Sequence, residues 1–472
     1  MKRLLIAALM AISTVMLMVM AARAPAQQLK LGVSQVDITP PVGAPLAGYY
    51  YKRNAEGVHD PLHVKAMVLE QGGVKIALAA LDLVSLPRDI VESARTMVQQ
   101  RIALSPDHVM ISATHAHTTP VVLTYPSRYN LEGKDKQIAQ QYTDSLAGKI
   151  ADAIVQANAN LQPVEMKAGV GNETTLSFNR RFFMKDGSIG WNPGKLNPKI
   201  ASPAGPVDPG LPVLYFESPD GKKPIAAYVN FGLHQDTTGG LNISADFSYT
   251  LGEVLKLVNG PAFFPMFTIG AAGNVAHLDV SRPEEQRSYQ EASRIGAVLA
   301  GDVLQVIQAA PKVNVSEIRV SDEVLQFPVP HYSQEEIDWA TRTQATYSTP
   351  QAAPFLDLVK AARVLELNAR HGKPLEAEVQ VFTLGDQVAI VGFPGEMFAE
   401  FGIELKEDSP FPITIPAELA NGALVYIPNE IGYEEGNYEP TAARLPQGAG
   451  EKLVNSALDQ LLKLFQENSN AH

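Results

Sequence analysis

Ten histidines occur in the 472-residue chain, and four of them stand where short apolar runs give way to small or turn-forming residues. His115 and His117 lie in Ile111-Ser112-Ala113-Thr114-His115-Ala116-His117-Thr118-Thr119-Pro120. A spacing of two along extended backbone puts both imidazoles on one face. Such a pair suits a shared metal or polar site; two partly exposed loop histidines are the plainer reading. His234 ends the apolar run Val229-Asn230-Phe231-Gly232-Leu233 and opens a stretch holding Asp236 and Asp246. It is either a ligand or a satisfied structural histidine. His277 and Asp279 follow Gly270-Ala271-Ala272-Gly273, small residues that let a ligand come close to the backbone. Glu396 follows Phe393-Pro394-Gly395 beyond another apolar run, an unusual place for a charge, and Tyr426 stands in Leu424-Val425-Tyr426-Ile427-Pro428. The chain has no cysteine. That excludes a thiol nucleophile, an iron–sulfur cluster, a cysteine-ligated zinc and any disulfide framework. A metal here has to be held by His, carboxylate, Tyr or backbone oxygen.

Placing these groups together requires a set of strands that end on one side of a sheet. Val74–Leu83 is a near-continuous apolar run, as expected for a strand covered on both faces. The pattern predicts a helix over Arg88–Arg101, a strand over His108–Ala113 and a helix over Tyr142–Ala159. Further strands are predicted at Val213–Glu217, Ile225–Phe231, Phe263–Gly270 and Val313–Phe327, and a helix at Glu285–Ala309. Glu376–Phe393 reads as a hairpin turning at Gly385-Asp386, and Leu453–Phe465 as a terminal amphipathic helix. The predicted class is α/β, with a largely parallel or mixed sheet and helices on both faces; open sheets of this kind bind ligands beyond the strand ends. The more polar stretch 333–371 reads as a helical insertion or lid.

Composition narrows the rest. With 46% hydrophobic and 19% charged residues the chain can bury a large core. A formal charge of −12 argues against nucleic-acid binding, which needs a basic face. Lys2-Arg3, the apolar run Leu4–Ala22 and the small-x-small Ala24-Pro25-Ala26 read as a secretory signal over residues 1–26. An uncleaved anchor is the alternative, because a run of ~19 apolar residues can also span a bilayer. The expectation is a secreted or periplasmic protein, with residues 27–472 forming one domain.

The ordered motifs resemble the neutral/alkaline non-lysosomal ceramidases. The likeness is carried by Gly32-Val33-Ser34-Gln35-Val36-Asp37-Ile38-Thr39-Pro40-Pro41, Gly57-Val58-His59-Asp60-Pro61-Leu62 and Ser112-Ala113-Thr114-His115-Ala116-His117. It continues in Phe178-Asn179-Arg180-Arg181, Val229–His234 with Ile243-Ser244-Ala245-Asp246-Phe247, Pro394-Gly395-Glu396 and Tyr426–Glu439. The resemblance implies the ceramidase-type fold and a catalytic zinc held by His115, His234, Glu396 and Tyr426. It also implies that His117, Arg180 and Tyr438 hold the polar group of the substrate.

One position departs from that family. Its serine nucleophile falls at Ala276 in Gly273-Asn274-Val275-Ala276-His277-Leu278. The expectation is a catalytic domain without the family's C-terminal immunoglobulin-like domain. The expectation is therefore a secreted zinc-dependent hydrolase that cleaves an amide of an N-acyl sphingolipid or similar substrate by metal-activated water. His277 or Asp279 is the candidate base. The expected partner is a small-molecule or lipid substrate, with peripheral membrane-surface contact open and no obligate protein partner inferred. The alternatives are a metal-dependent hydrolase or lyase acting on a carbohydrate or envelope-derived molecule, and a catalytically inactive relative that binds lipid or sugar.

Overall fold

Alternation along single strands explains the long apolar runs. In the computed structural model, which describes residues 28–124 and 127–469, the strand Val74–Leu81 points Ala77, Ala79 and Leu81 into one core and Ile76, Leu78 and Ala80 into another. The strand His63–Gln71 divides likewise, with Val64, Ala66 and Val68 on one side and Met67 and Leu69 on the other. A two-residue period with both faces buried yields a run without polar breaks. The expected signal segment 1–26 lies outside the described residues.

Three larger sheets carry most of the strands among the described residues. The first orders Val109–Ala113, Val74–Leu81, His63–Gln71, Lys30–Asp37 and Gln162–Pro163 side by side. The second orders Phe264–Ile269, Pro224–Phe231, Gly210–Glu217, Glu165–Asn172 and Lys312–Val313. The third has four strands, Ile318–Phe327, Leu375–Leu384, Val388–Gly392 and Ile413–Ala417. Met110, Leu214, Phe216, Met266, Phe382 and Ile390 bring all three into one shared apolar core. Helices Arg88–Ile102 and Gly133–Ala159 pack on the outer face of the first sheet, and Phe247–Asn259 and Tyr289–Ala309 on that of the second. Inner faces thus meet other sheets, and helices cover the outer faces instead of flanking one sheet on both sides. The terminal helix Ala449–Ser469 seals the third sheet through Leu453, Ala457 and Leu461.

The pairing is mixed. Short reversals such as Gly72-Gly73, both at positive φ, join neighbours antiparallel, and the predicted hairpin at Gly385-Asp386 pairs Leu375–Leu384 with Val388–Gly392. Three longer pairs are parallel: Val74–Leu81 with Val109–Ala113, Pro224–Phe231 with Phe264–Ile269, and Val388–Gly392 with Ile413–Ala417. These three matter most for the site, because His115, His234, His277 and Glu396 all follow their C-terminal ends. The 333–371 stretch forms two helices, Gln334–Gln344 and Phe355–Asn368. Among the described residues no helix is long and apolar enough to cross a membrane.

Candidate metal centre and active site

His115 is aimed inward by an unusual backbone. Its φ is +72°, a region that few side chains adopt without tertiary support, and its N–H is tied to the Leu83 carbonyl at 2.8 Å. Its Nδ1 lies 2.8 Å from the Val84 carbonyl, and Nδ1 of His234 lies 2.9 Å from the Ala272 carbonyl. A carbonyl only accepts, so both Nδ1 atoms carry the proton and both Nε2 atoms present lone pairs to the site. The two Nε2 atoms each stand 3.3 Å from the same Glu396 oxygen, Oε2, which makes no hydrogen bond although buried. His117 closes the cluster, its Nε2 3.2 Å from that of His115. The ligand atoms of His115, His117 and His234 all lie within 4.8 Å of one another.

Electrostatics agree with the geometry. Burial drives the His117 pKa well below its ordinary value, aided by the neighbouring imidazoles, and brings His234 to about 3, aided by Arg180. Burial would raise Glu396, but a positive charge on the facing His115 and His234 edges holds it well below the usual carboxylate range, a role a cation at the same point also fills. Several lone pairs thus face one another across about 3 Å with a carboxylate among them, an arrangement that a divalent cation relieves. Nitrogen and oxygen donors without sulfur fit a zinc ion. Tyr426 is bridged in parallel to Glu396 through its backbone, and its ring lies 6.3 Å from that of His234. Burial keeps its hydroxyl protonated far above the usual phenol range, and it hydrogen-bonds Arg180.

Arg180 reaches the same place from another direction. The short strand Phe178–Asn179 pairs with Val275–Ala276, which ties the Asn-Arg segment to the loop bearing Ala276 and His277. Its Nε donates to Glu439 at 2.9 Å, its Nη2 to the Gly273 carbonyl at 2.6 Å, and its Nη1 sits 3.2 Å from His234 Nε2. Glu439 is fully buried and also takes Arg181 at 2.8 Å. Arg180 therefore has an internal partner and not a surface acid. Its guanidinium faces the Tyr426 and Tyr438 rings at 5.1 and 6.0 Å.

His117, Arg180, His234, Tyr426 and Tyr438 line a cavity of about 430 Å³. One wall is aromatic: Trp191 stacks on Phe355 at 5.4 Å, and Tyr438 touches both. Another part of the lining is polar. Asp236 accepts from the Tyr49 hydroxyl and, at 2.9 Å, from Arg287. Ala276 and His277 form part of the lining. His277 is 3% exposed, and neither ring nitrogen makes a hydrogen bond of good geometry; burial brings its pKa to about 4.

Of the residues singled out in the sequence, His115, His117, His234, Glu396, Tyr426, Arg180, Tyr438 and His277 come together. Asp279 does not: its carboxylate is spent on a surface turn, accepting from the Ser281 N–H and hydroxyl at 2.9 and 2.6 Å. Its neighbour His277 turns inward, so only one of the two candidate bases faces the cavity. Sequence reasoning passed over Trp191, Phe355, Tyr49 and Arg287, and gave no role to Asp236 or Glu439. The tyrosine run Tyr49-Tyr50-Tyr51 after Gly48 was the visible signal for part of that wall.

Comparison with known proteins agrees with the motifs. Residues 29–244 match the family model of the neutral/alkaline non-lysosomal ceramidase N-terminal domain. The structure superposes on neutral ceramidase from Pseudomonas aeruginosa with a TM-score of 0.72 at 17% identity, covering 93% of this chain and 75% of that one. A ceramidase complexed with C2 gives 0.71 at 17% identity, covering 93% and 76%. At that identity the likeness is one of fold. No curated protein matches the sequence. Residues 29–244 thus resemble in sequence the N-terminal domain of the neutral/alkaline non-lysosomal ceramidases, and nearly the whole length shares the fold of the solved neutral ceramidases.

Proposed function

We propose that this protein is an exported zinc-dependent hydrolase that cleaves an amide bond of an N-acyl lipid or a similar small molecule, with water as the nucleophile. The observation that carries the reading is the convergence of His115 Nε2 and His234 Nε2 on one unpartnered Glu396 oxygen, 3.3 Å from each. A divalent ion held by His115, His234, Glu396 and Tyr426 supplies Lewis acidity towards a carbonyl and makes water easier to deprotonate.

The remaining steps fall to side chains. Arg180, His117 and Tyr438 face the cavity and donate hydrogen bonds to the carbonyl oxygen as it gains negative charge. Arg180 is held for this by Glu439, so little reorganisation is needed. Ala276 offers no hydroxyl, which leaves attack to water. His277, neutral at physiological pH because it is buried, takes up the proton of that water and returns it to the leaving amine. The Trp191–Phe355–Tyr438 wall receives the apolar part of the substrate. Phe355 comes from the 333–371 stretch, which acts as a lid on a single domain spanning 27–472.

Metal analysis of the purified protein, coupled to turnover of fluorescent N-acyl amides, tests this reading. One zinc per chain, activity lost to a chelator and restored by zinc are expected. Full turnover by metal-free protein overturns it.

A further inference from the structure

Glu418 is a buried carboxyl that nothing above uses. It follows the strand Ile413–Ala417 directly and is 1% exposed. Its Oε2 accepts from the Ala272 N–H at 3.1 Å, while Oε1 makes no hydrogen bond of good geometry. The Met397 N–H also acts on this carboxyl, and the Glu396 charge stands close by. A second acid buried beside Glu396 is a poor choice for stability, and an apolar residue of the same size would cost less. What it gains lies across a single residue. Residue Ala272 donates its N–H to Glu418 on one side of its Cα and on the other accepts at its carbonyl from His234 Nδ1 at 2.9 Å. The next residue, Gly273, offers its carbonyl to Arg180 at 2.6 Å and its N–H to the Met397 carbonyl at 2.7 Å. Gly273 has no room for a side chain, since an added Cβ would lie 2.4 Å from the Glu396 carbonyl. The loop that orients His234 is thus packed against the backbone that presents Glu396, and Glu418 touches both.

We propose that Glu418 is a positioning residue, fixing the backbone at Ala272 so that the Ala272 carbonyl holds His234 in the tautomer and orientation that point Nε2 at the metal centre. The inference deepens the metal reading above and rests on it. Partners that orient a ligand in this way typically change metal affinity by about 10–100-fold when removed.

The test compares wild type, Glu418→Gln and Glu418→Asp in the full mature chain. Gln keeps an acceptor at the same reach; Asp keeps a buried carboxyl but falls one methylene short of the Ala272 N–H. Two quantities are read: the zinc dissociation constant by chelator competition, and the His234 tautomer in metal-free protein by ¹⁵N NMR of labelled histidine. Glu418→Asp should weaken zinc by about 10–100-fold and mix the tautomers, with Glu418→Gln close to wild type on both. Wild-type zinc affinity and an unmixed tautomer in Glu418→Asp overturn the proposal. If wild type binds no zinc but Glu418→Asp still loses the tautomer, the metal reading falls and the positioning role stands. If Glu418→Asp does not fold, Glu418→Gln decides: a mixed tautomer there, despite the retained acceptor, also overturns the proposal, and an unmixed one supports it.

Discussion

Replacing His277 by Gln separates two properties that one imidazole combines. The ring is 3% exposed, and burial is the main cause that brings its pKa to about 4. In the unfolded chain the same group titrates near ~6.5. Between these values the unfolded state binds a proton that the folded state refuses, so stability falls as the pH falls. The loss begins below ~6.5 and is complete below about 4, where both states are protonated. From about pH 7 to about pH 5, this one group costs about 2 kcal/mol at ~1.4 kcal/mol per unit. His277→Gln removes the titration. The variant should therefore gain about 2 kcal/mol on wild type over that interval. Urea denaturation of both proteins at both pH values gives the difference of differences. It cancels groups common to the pair, including Asp82 and Asp246, which burial raises to about 6 and which push the slope the other way. Turnover by the same variant should fall by at least ~10²-fold, the lower range for losing a proton-transfer group. An unchanged pH slope refutes the buried neutral imidazole. A lost slope with full activity refutes the base assignment alone.

Other expectations follow from single contacts. Arg180→Ala removes charged hydrogen bonds to Glu439 and Gly273 but leaves Arg181 on Glu439, so thermal unfolding should register about 2 kcal/mol while turnover drops roughly 10²-fold. Arg180→Lys should recover stability better than turnover, because an ammonium lacks the guanidinium fork. Phe355→Ala breaks the stack with Trp191 and should raise KM for an N-acyl substrate by roughly 3–10-fold with kcat nearly unchanged; a fall in kcat alone would count against an apolar subsite there. Ala276→Ser puts a hydroxyl on the cavity wall, and intact-mass measurement on a slow ester substrate should then detect an acylated chain that wild type never forms. An acylated wild type would mean that some other side chain attacks.

What the sequence determined by itself was the set of reactive groups and the strands that carry them. Ile111–His117, Val229–His234 and Phe393–Glu396 each combine an apolar run with a ligand type just past its end. That pattern is local, so no distant contact is needed to see it. The absence of cysteine fixed the donor chemistry, and Ala276 set this chain apart from the family it resembles, again from single positions. Tertiary structure alone decided what required long-range information. Whether the sheets were parallel or mixed depended on which strands met, and short reversals such as Gly72-Gly73 made most neighbours antiparallel. The choice between His277 and Asp279 turned on the direction of one loop, because residues two apart can be claimed by opposite sides once a turn intervenes. Glu439, 259 residues from the arginine it holds, and Glu418, 146 residues from the Ala272 amide, have roles that no local pattern reveals. A carboxylate in sequence is by default a solvated surface group. Only burial, and the partner that makes burial tolerable, marks it as part of a site.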